Sequence, residues 1–142
     1  EKLVAKYGAK QFVSGFDHTP GQQRAVIEFA ISDRRVRFRL PLSATNKFMF
    51  NARGIRRTDS QRQQAWEADT RQRWRALLLV IKAKLEAVEQ KIVTFDEEFM
   101  AQIVMPNGNT VGDEAGPRIA EIYKTKIMTP LLSWAGANKD ER

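Results

Sequence analysis

Arginine recurs at alternate positions in the stretch RRVRFRLPL, residues 34–42, which is the clearest chemical signal in the chain. Side chains two apart on a β-strand lie on one face, roughly 6.5 to 7 Å apart. Arg35, Arg37 and Arg39 are therefore predicted to form a row of three guanidinium groups on a rigid support. The functional interpretation of such a row is phosphate contact. The alternative is a solvated face whose charge Glu28, across the hairpin, absorbs in part.

A second set of cations lies in residues 69–92, which we interpret as one long helix. Apolar residues recur there at spacings of three and four and predict one seam that faces the core, formed by Trp74, Leu77, Leu78, Ile81, Leu85, Val88 and Ile92. Beside this seam, Arg71, Arg75 and Lys82 share a second stripe. Because Arg71 and Arg75 are one turn apart and repel mildly, the stripe requires acidic neighbours or an anionic ligand.

The unbroken apolar run at residues 77–81 places apolar side chains all the way round the middle of the long helix. This pattern is typical of a central helix that is covered on several sides. The seam spacing also resembles that of a coiled coil, which leaves homodimerisation open.

A third set of cations lies in residues 43–59, which show no sustained hydrophobic period. Four basic residues, Lys47, Arg53, Arg56 and Arg57, occur there. We interpret the segment as a long basic loop that is either functional or partly disordered. Phe48 and Phe50 are interleaved with the cations, an arrangement that suits stacking on single-stranded bases, but anchoring of the loop to the core is the favoured interpretation.

The net charge of +7 is unevenly distributed. Residues 34–84 contain 14 Lys and Arg but three acids, a local charge of +11, and the remainder carries −4. Such asymmetry is the usual footprint of a nucleic-acid binder and could equally complement an acidic protein surface. The three sets form one cationic surface if the sheet and the long helix pack side by side. The predicted nucleic-acid contacts are Arg35, Arg37, Arg39, Lys47, Arg53, Arg56, Arg57, Arg71, Arg75 and Lys82.

The elements that position these residues predict an α+β fold. We expect a small antiparallel sheet of about three strands packed on a long central helix, with two shorter C-terminal helices. The length of 142 residues suits a single domain, 1–142. Its predicted segments are the end of a helix (1–9), antiparallel strands (10–42), the basic loop (43–59), the long helix (60–93), short helices with a tight turn (94–134) and a tail (135–142).

Local motifs support these boundaries. Alternating residues at 25–31 and 35–42, joined by a turn at 32–34, predict a β-hairpin. Ser60 with Gln63, and Thr94 with Glu97, have the spacing of helix capping boxes. A tight turn is predicted at residues 105–111, around an Asn-Gly pair, and the last helix is predicted to run from residue 113 or 117 to about 127.

Several classes of function find no support in the sequence. The chain contains no cysteine, which excludes disulfides and thiolate metal sites. His18, the single histidine, lies in a Pro-Gly turn, and no nucleophile elbow, phosphate loop or metal-ligand spacing occurs. No apolar run approaches the roughly 20 residues that span a bilayer, and the chain does not open with a secretory leader. We therefore expect a non-enzymatic cytosolic protein without cofactor, metal or membrane association.

The stretches RRVRFRLPL, RQRWRAL, VIKAKLEAV, TFDEEF and PNGNTVG occur in this order along the chain. Together they resemble an uncharacterised family of small proteins encoded by bacteriophages and prophages, and the resemblance covers most of the chain. It implies a phage origin and hence the cytoplasm of the bacterial host, and it supplies no mechanism and no catalytic residues.

Two functional hypotheses result. The first is a phage protein that binds DNA or RNA through its basic strand and helix faces, in phage replication, recombination or regulation. The second is a counter-defence inhibitor, similar to an anti-CRISPR protein, which binds a host protein or ribonucleoprotein complex.

Overall fold

The computed structural model describes residues 1–132, without the side chain of His18. The elements are α1 (Lys2–Lys6), β1 (Lys10–Thr19), β2 (Gln22–Ile31), β3 (Arg34–Pro41), α2 (Asp59–Glu89), α3 (Phe95–Phe99) and α4 (Val111–Thr125). The three strands form one antiparallel sheet in the order β1-β2-β3. This architecture confirms the predicted α+β class. The tail predicted for residues 135–142 lies outside the described residues.

The β2–β3 hairpin closes through a two-residue turn. Ser32 and Asp33 both have positive φ, 45° and 65°, and Ile31 pairs with Arg34. Two positive φ angles give a turn whose twist matches that of the flanking strands. The turn is therefore one residue shorter than predicted, and Arg34 begins β3.

The core lies on one face of the sheet. Alternate residues of β2 and β3 point into it and are buried, namely Ala25, Ile27, Phe29, Val36, Phe38 and Leu40. The ring of Phe99, in α3, meets Phe29 and Phe38 edge-on at centroid distances of 6.5 and 6.2 Å. Val4 of α1, with Ile81 and Leu85 of α2, completes the buried cluster. The predicted alternation of the two strands is thus confirmed.

Helix α2 begins at Asp59, in agreement with the start predicted near residue 59 or 60, and ends earlier than predicted. The Thr58 hydroxyl accepts the Gln61 N–H at 3.2 Å, and the Gln61 side chain accepts the Thr58 N–H at 3.0 Å. The capping box predicted at Ser60 and Gln63 is wrong, because Ser60 already lies in the first helical turn. The helix ends at Glu89, and Ile92 lies beyond it and is 74% exposed, so the placement of Ile92 in the core-facing seam is wrong.

The middle of α2 is covered on one side. Ile81 is buried, whereas Leu78, Leu79 and Val80 are 41%, 68% and 48% exposed within the described residues. The expectation that α2 is covered on several sides is therefore wrong, as is the placement of Leu78 in the buried seam. An apolar run shows which side chains are hydrophobic, but it does not show how many other elements of the chain pack against the helix.

The C-terminal elements differ from the prediction mainly in where α4 starts. Thr110 caps this helix, accepting the Asp113 N–H at 3.1 Å, so α4 begins at Val111. Pro117 lies inside the helix rather than at its start. The tight turn before α4 forms as predicted, with Gly108 at φ 86° and a bridge between Val104 and Thr110.

Candidate nucleic-acid interface

The three strand arginines form the predicted row. Val36 and Phe38 point into the core, so Arg35, Arg37 and Arg39 lie on the opposite face of the sheet. Glu28 stands directly opposite Arg37 in the β2–β3 register. Its carboxylate accepts hydrogen bonds from Nε of both Arg37 and Arg35, the latter at 2.8 Å. Two of the three guanidinium groups thus share one acid.

The Glu28 carboxylate is ionised despite partial burial. Burial raises its pKa, but the hydrogen bonds and charges of Arg37 and Arg35 more than offset that effect, so the pKa lies below the usual glutamate value. Arg37 also donates to the Gly108 carbonyl at 2.8 Å. Arg37 therefore uses its hydrogen-bond donors for contacts within the protein.

Arg39 is paired with the first turn of α4. Its two terminal nitrogens donate to the two oxygens of Asp113 at 2.8 and 3.0 Å, a fork-to-fork arrangement. Burial raises the pKa of Asp113, but the bonds from Arg39 and Thr110 outweigh it and bring the pKa below the usual aspartate value. The pair fastens α4 to the sheet.

This pairing extends through the basic segment, residues 34–84. Seven of its fourteen cations form ion pairs with acids: Arg34, Arg35, Arg37, Arg39, Arg62, Arg73 and Lys84. Within the described part of the chain, the other seven have no acid within ion-pair distance: Lys47, Arg53, Arg56, Arg57, Arg71, Arg75 and Lys82. Most of the uncompensated charge therefore resides in the loop and on α2, and the strand keeps one excess positive charge because Arg35 and Arg37 share Glu28.

The predicted basic loop contains ordered structure. A 3-10 helix spans Thr45–Phe48, and residues 49–57 then form a small hairpin that we call the basic hairpin. Its strands are joined by bonds from the Asn51 N–H to the Ile55 carbonyl at 2.9 Å and from the Arg57 N–H to the Met49 carbonyl at 2.8 Å. The Asn51 side chain accepts the N–H groups of Arg53 and Ile55. Gly54, at φ 75°, closes the tip.

The tip of the basic hairpin presents both charge and apolar surface. Arg53 and Arg56 are exposed, and Phe50 and Ile55 are 55% and 60% exposed. Arg57 instead folds back, donating to the carbonyls of Phe48 and Phe50 at 3.2 and 3.0 Å. Arg57 therefore braces the hairpin and leaves Arg53, Arg56 and Phe50 available to a ligand.

Of the two phenylalanines weighed as stacking residues, one is accessible. Phe48 is half-buried, and the Lys47 ammonium lies 6.0 Å from the centre of its ring. Phe50 is open to solvent. Phe48 thus fits the anchoring alternative, whereas Phe50 remains free to stack.

The end of β3 and the chain that follows it, residues 41–43, pack against one flank of α2. Trp66 Nε1 donates to the Ser43 carbonyl at 2.7 Å, and Arg73 donates to the Pro41 carbonyl and to Ser43 Oγ. Residues two apart on a helix point roughly 200° away from each other. Arg71 and Arg75, on either side of Arg73, therefore lie on the other flank of α2.

The strand row and the cations of α2 consequently do not form one surface, because α2 packs on the core face of the sheet and the row lies on the other face. The strand row lies on the sheet face that points away from the core, the basic hairpin follows the segment packed on the Trp66 flank, and Arg71, Arg75 and Lys82 lie on the opposite flank of α2. Sequence reasoning missed Asp113, Asp96 and Glu98 as partners of the basic segment. The net negative charge outside residues 34–84 was the signal that acids were available to it.

No family model, curated protein or solved structure matches the chain. Within residues 1–132, no group of three or more His, Asp or Glu side chains is arranged to hold a metal ion. None of the helices described combines the length and apolar character that crossing a membrane requires. A function must therefore be inferred from the chemistry of the strand row, the basic hairpin and the cationic flank of α2.

Proposed function

We propose that this protein is a non-enzymatic, phage-encoded nucleic-acid-binding protein in phage replication, recombination or regulation, and that the basic hairpin is its principal contact. One observation carries the proposal. Arg53 and Arg56 have no acid partner within the described residues, and they lie on an ordered hairpin beside the exposed ring of Phe50. The phage origin depends on the sequence resemblance alone.

Cations without partners are the appropriate ones for binding phosphate. A guanidinium already bonded to a carboxylate, such as that of Arg39, would have to give up this bond before it contacts a phosphate. An exposed and unpaired arginine loses only water, and the release of counterions condensed on the nucleic acid supplies most of the electrostatic affinity. The basic hairpin therefore offers more favourable phosphate contacts than the strand row.

The exposed Phe50 favours a single-stranded ligand. Cations follow the phosphate backbone while an aromatic ring stacks on a base, and stacking is available only where bases are unpaired. The two groups are held together, because Phe50 and Arg56 form the bridge that closes the hairpin. We expect tighter binding to single-stranded DNA or RNA than to duplex DNA.

The test is a fluorescence-anisotropy titration of labelled single-stranded DNA, duplex DNA and RNA over a salt series. The double substitution Arg53→Glu with Arg56→Glu should weaken binding by at least about tenfold and should lower the log–log salt slope by about 1.4, or 0.7 for each lost phosphate contact on a single strand. The matched control is Lys2→Glu with Lys124→Glu, which changes the net charge equally at exposed positions elsewhere. The proposal is contradicted if the wild type causes no change in anisotropy, or if the hairpin variant and the control lose equal affinity.

The exposed apolar side chains of the hairpin tip also favour a second candidate. Phe50 and Ile55 next to arginines have the composition of a protein-binding hot spot. They would suit a counter-defence inhibitor, resembling an anti-CRISPR protein, that binds a host protein or ribonucleoprotein. In that case free nucleic acids give flat titrations, and the hairpin variant loses a host partner that the wild type retains in a pull-down.

A further inference from the structure

The middle of the outward face of α2 is apolar and uncovered in the described part of the chain, whereas Gln72, on the same face two turns earlier, is polar. Leu79, at its centre, is 68% exposed, and Leu78 and Val80 on either side are 41% and 48% exposed. Ala76 and Ala83, one turn before and one turn after Leu79, are exposed as well. A helix whose only function is to cover a sheet normally carries polar residues on this face.

One flank of this face has an ordered sequence of charges. Arg71, Arg75 and Lys82 are followed by Glu86 and Glu89, and at 100° per residue all five lie within an arc of roughly 60°. The flank is therefore basic in its N-terminal part and acidic in its C-terminal part. The three cations make no ion pair within the described residues.

An antiparallel second copy of α2 would satisfy this charge order. When two identical helices pack antiparallel, each flank faces the same flank of the other helix, in reverse order. With the two-fold axis near residue 80, Arg75 faces Glu86 of the second copy, and Arg71 faces its Glu89. The basic part of each helix thereby meets the acidic part of the other.

A parallel arrangement offers no such match. Each flank would then face the opposite flank of the other helix, where Arg73 and Lys84 are already paired with Asp69 and Glu98. The order of the charges therefore selects both the partner, a second copy of the chain, and its direction.

We propose that the protein forms a symmetric dimer in which α2 packs antiparallel on α2 of a second copy, through Leu79 and its apolar neighbours. The helix has 31 residues and is about 46 Å long, which is long enough to contribute to an interface of about 800 Å² per partner. The acidic end is held in place, because the Tyr7 hydroxyl donates to Glu86 at 2.8 Å. That hydrogen bond, first among its causes, keeps the pKa of Glu86 below the usual value, so the carboxylate stays charged.

The test is sedimentation of the full chain over a concentration series. The wild type should sediment at twice the monomer mass, and Arg75→Glu should raise the dimer Kd by about tenfold or more. Combining Arg75→Glu with Glu86→Arg should restore the dimer, because the exchanged charges again face each other across the axis. Lys124→Glu, an equal charge change on α4, is the control.

Leu79→Glu tests the apolar contact separately. The side chain is exposed, so circular dichroism should show an unchanged fold, and the dimer should be lost. A wild type that is monomeric at every concentration overturns the dimer, as does a dimer that tolerates both Arg75→Glu and Leu79→Glu. A monomeric wild type whose Arg75→Glu variant loses nucleic-acid affinity assigns this flank to the nucleic acid instead.

The dimer does not depend on the proposed function. The basic hairpin follows the segment packed on the Trp66 flank of α2, away from the flank that carries Arg75. Variants of the basic hairpin therefore test nucleic-acid binding without changing the dimer contact, and variants of the Arg75 flank test the dimer without changing the hairpin.

Discussion

Arginine serves two purposes in this protein, and the difference lies in its partners. Arg39 donates a hydrogen bond from each terminal nitrogen to Asp113, and Arg37 donates to Glu28 and to a backbone carbonyl. Arg53 and Arg56 have no such partners within the described residues. The first two residues stabilise the fold, and the last two are the ones that we expect to contact a ligand.

Glu28 should matter for stability because it is the shared acid of two arginines. The substitution Glu28→Gln leaves Arg35 and Arg37 without a counter-charge, and we expect a loss of about 1 to 2 kcal/mol, since the pair is partly open to solvent. Chemical denaturation measures this loss. Glu121→Gln, at an exposed position of α4, is the control and should be neutral. Equal stability of the two variants would mean that the Glu28 carboxylate does not stabilise the fold.

Phe50 should contribute to affinity and not to stability. Its ring is 55% exposed, so Phe50→Ala removes little buried surface, whereas stacking on a base contributes about 1 to 3 kcal/mol. We expect at least about fivefold weaker binding to single-stranded DNA or RNA with an unchanged melting temperature. Phe48→Ala, at the half-buried position, should lower the melting temperature instead. An F50A variant with wild-type affinity excludes stacking at this position.

At the scale of elements, the basic hairpin is organised by one side chain. Asn51 Oδ1 accepts the N–H groups of Arg53 and Ile55 at 2.9 and 3.0 Å, which ties the tip to the start of the hairpin. The short loop has no buried core of its own, so these bonds carry much of its order.

Asn51→Ala should therefore loosen the hairpin without unfolding the protein. We expect local opening to become easier by about 1 kcal/mol, with roughly fivefold faster hydrogen exchange at the amides of Arg53 and Ile55. Amides in the middle of α2 serve as the internal control and should not change. If exchange at the tip is the same as in the wild type, Asn51 does not organise the hairpin.

The elements themselves could largely be predicted, because periodicity is a local property. Alternation in β2 and β3 predicted which face is buried, and Val36 and Phe38 confirm it. Boundaries were harder to predict where two local signals compete. Thr58 with Gln61 has the same capping pattern as Ser60 with Gln63, and the choice between them depends on where the preceding chain turns.

At the scale of the whole molecule, Glu28 was predicted as a partner of the arginine row, but the acids that lie far along the chain from their arginines could not be predicted. Arg39 and Asp113 are 74 residues apart, and no local pattern connects them. The candidate site was predicted to form one basic surface if the sheet and the long helix pack side by side, whereas folding pairs half of the basic segment's cations with acids and places the strand row on the sheet face away from α2. The coverage of α2 was missed for the same reason, since the number of packed neighbours is a property of the tertiary fold.

Stability should fall in acid, in a range set by the paired carboxyls. The pKa values of Glu28 and Asp113 lie below their usual values in the folded protein, so their ionised forms stabilise it. This stabilisation is complete above the unfolded-state pKa values of about 4 and disappears as the pH falls through the lower folded values. We expect a level melting temperature between about pH 7 and 5 and a decline below about pH 4. The double variant E28Q/D113N should show a smaller decline, and equal declines would contradict this assignment.

Substitutions in the strand row and in the basic hairpin should have opposite effects on stability and on nucleic-acid binding. Arg39→Gln breaks the link between the sheet and α4 and should lower the melting temperature. The affinity for single-stranded nucleic acid should change by less than about twofold, because a paired arginine releases few counterions from the ligand. The hairpin variant R53E/R56E should show the reverse pattern. A loss of affinity in R39Q comparable to that of the hairpin variant would identify the strand row as the contact surface.

The free edge of β3 is covered late in the life of the chain. Val36 bridges to Ile103, and the Val104 N–H donates to the Arg35 carbonyl at 2.8 Å, so a segment far downstream covers the start of that edge. On the ribosome, the hairpin of β2 and β3 emerges well before this segment does. An uncovered strand edge invites pairing with other nascent chains, and charged side chains along it discourage such pairing. The alternating arginines would then protect the newly made chain from aggregation before they serve the finished fold.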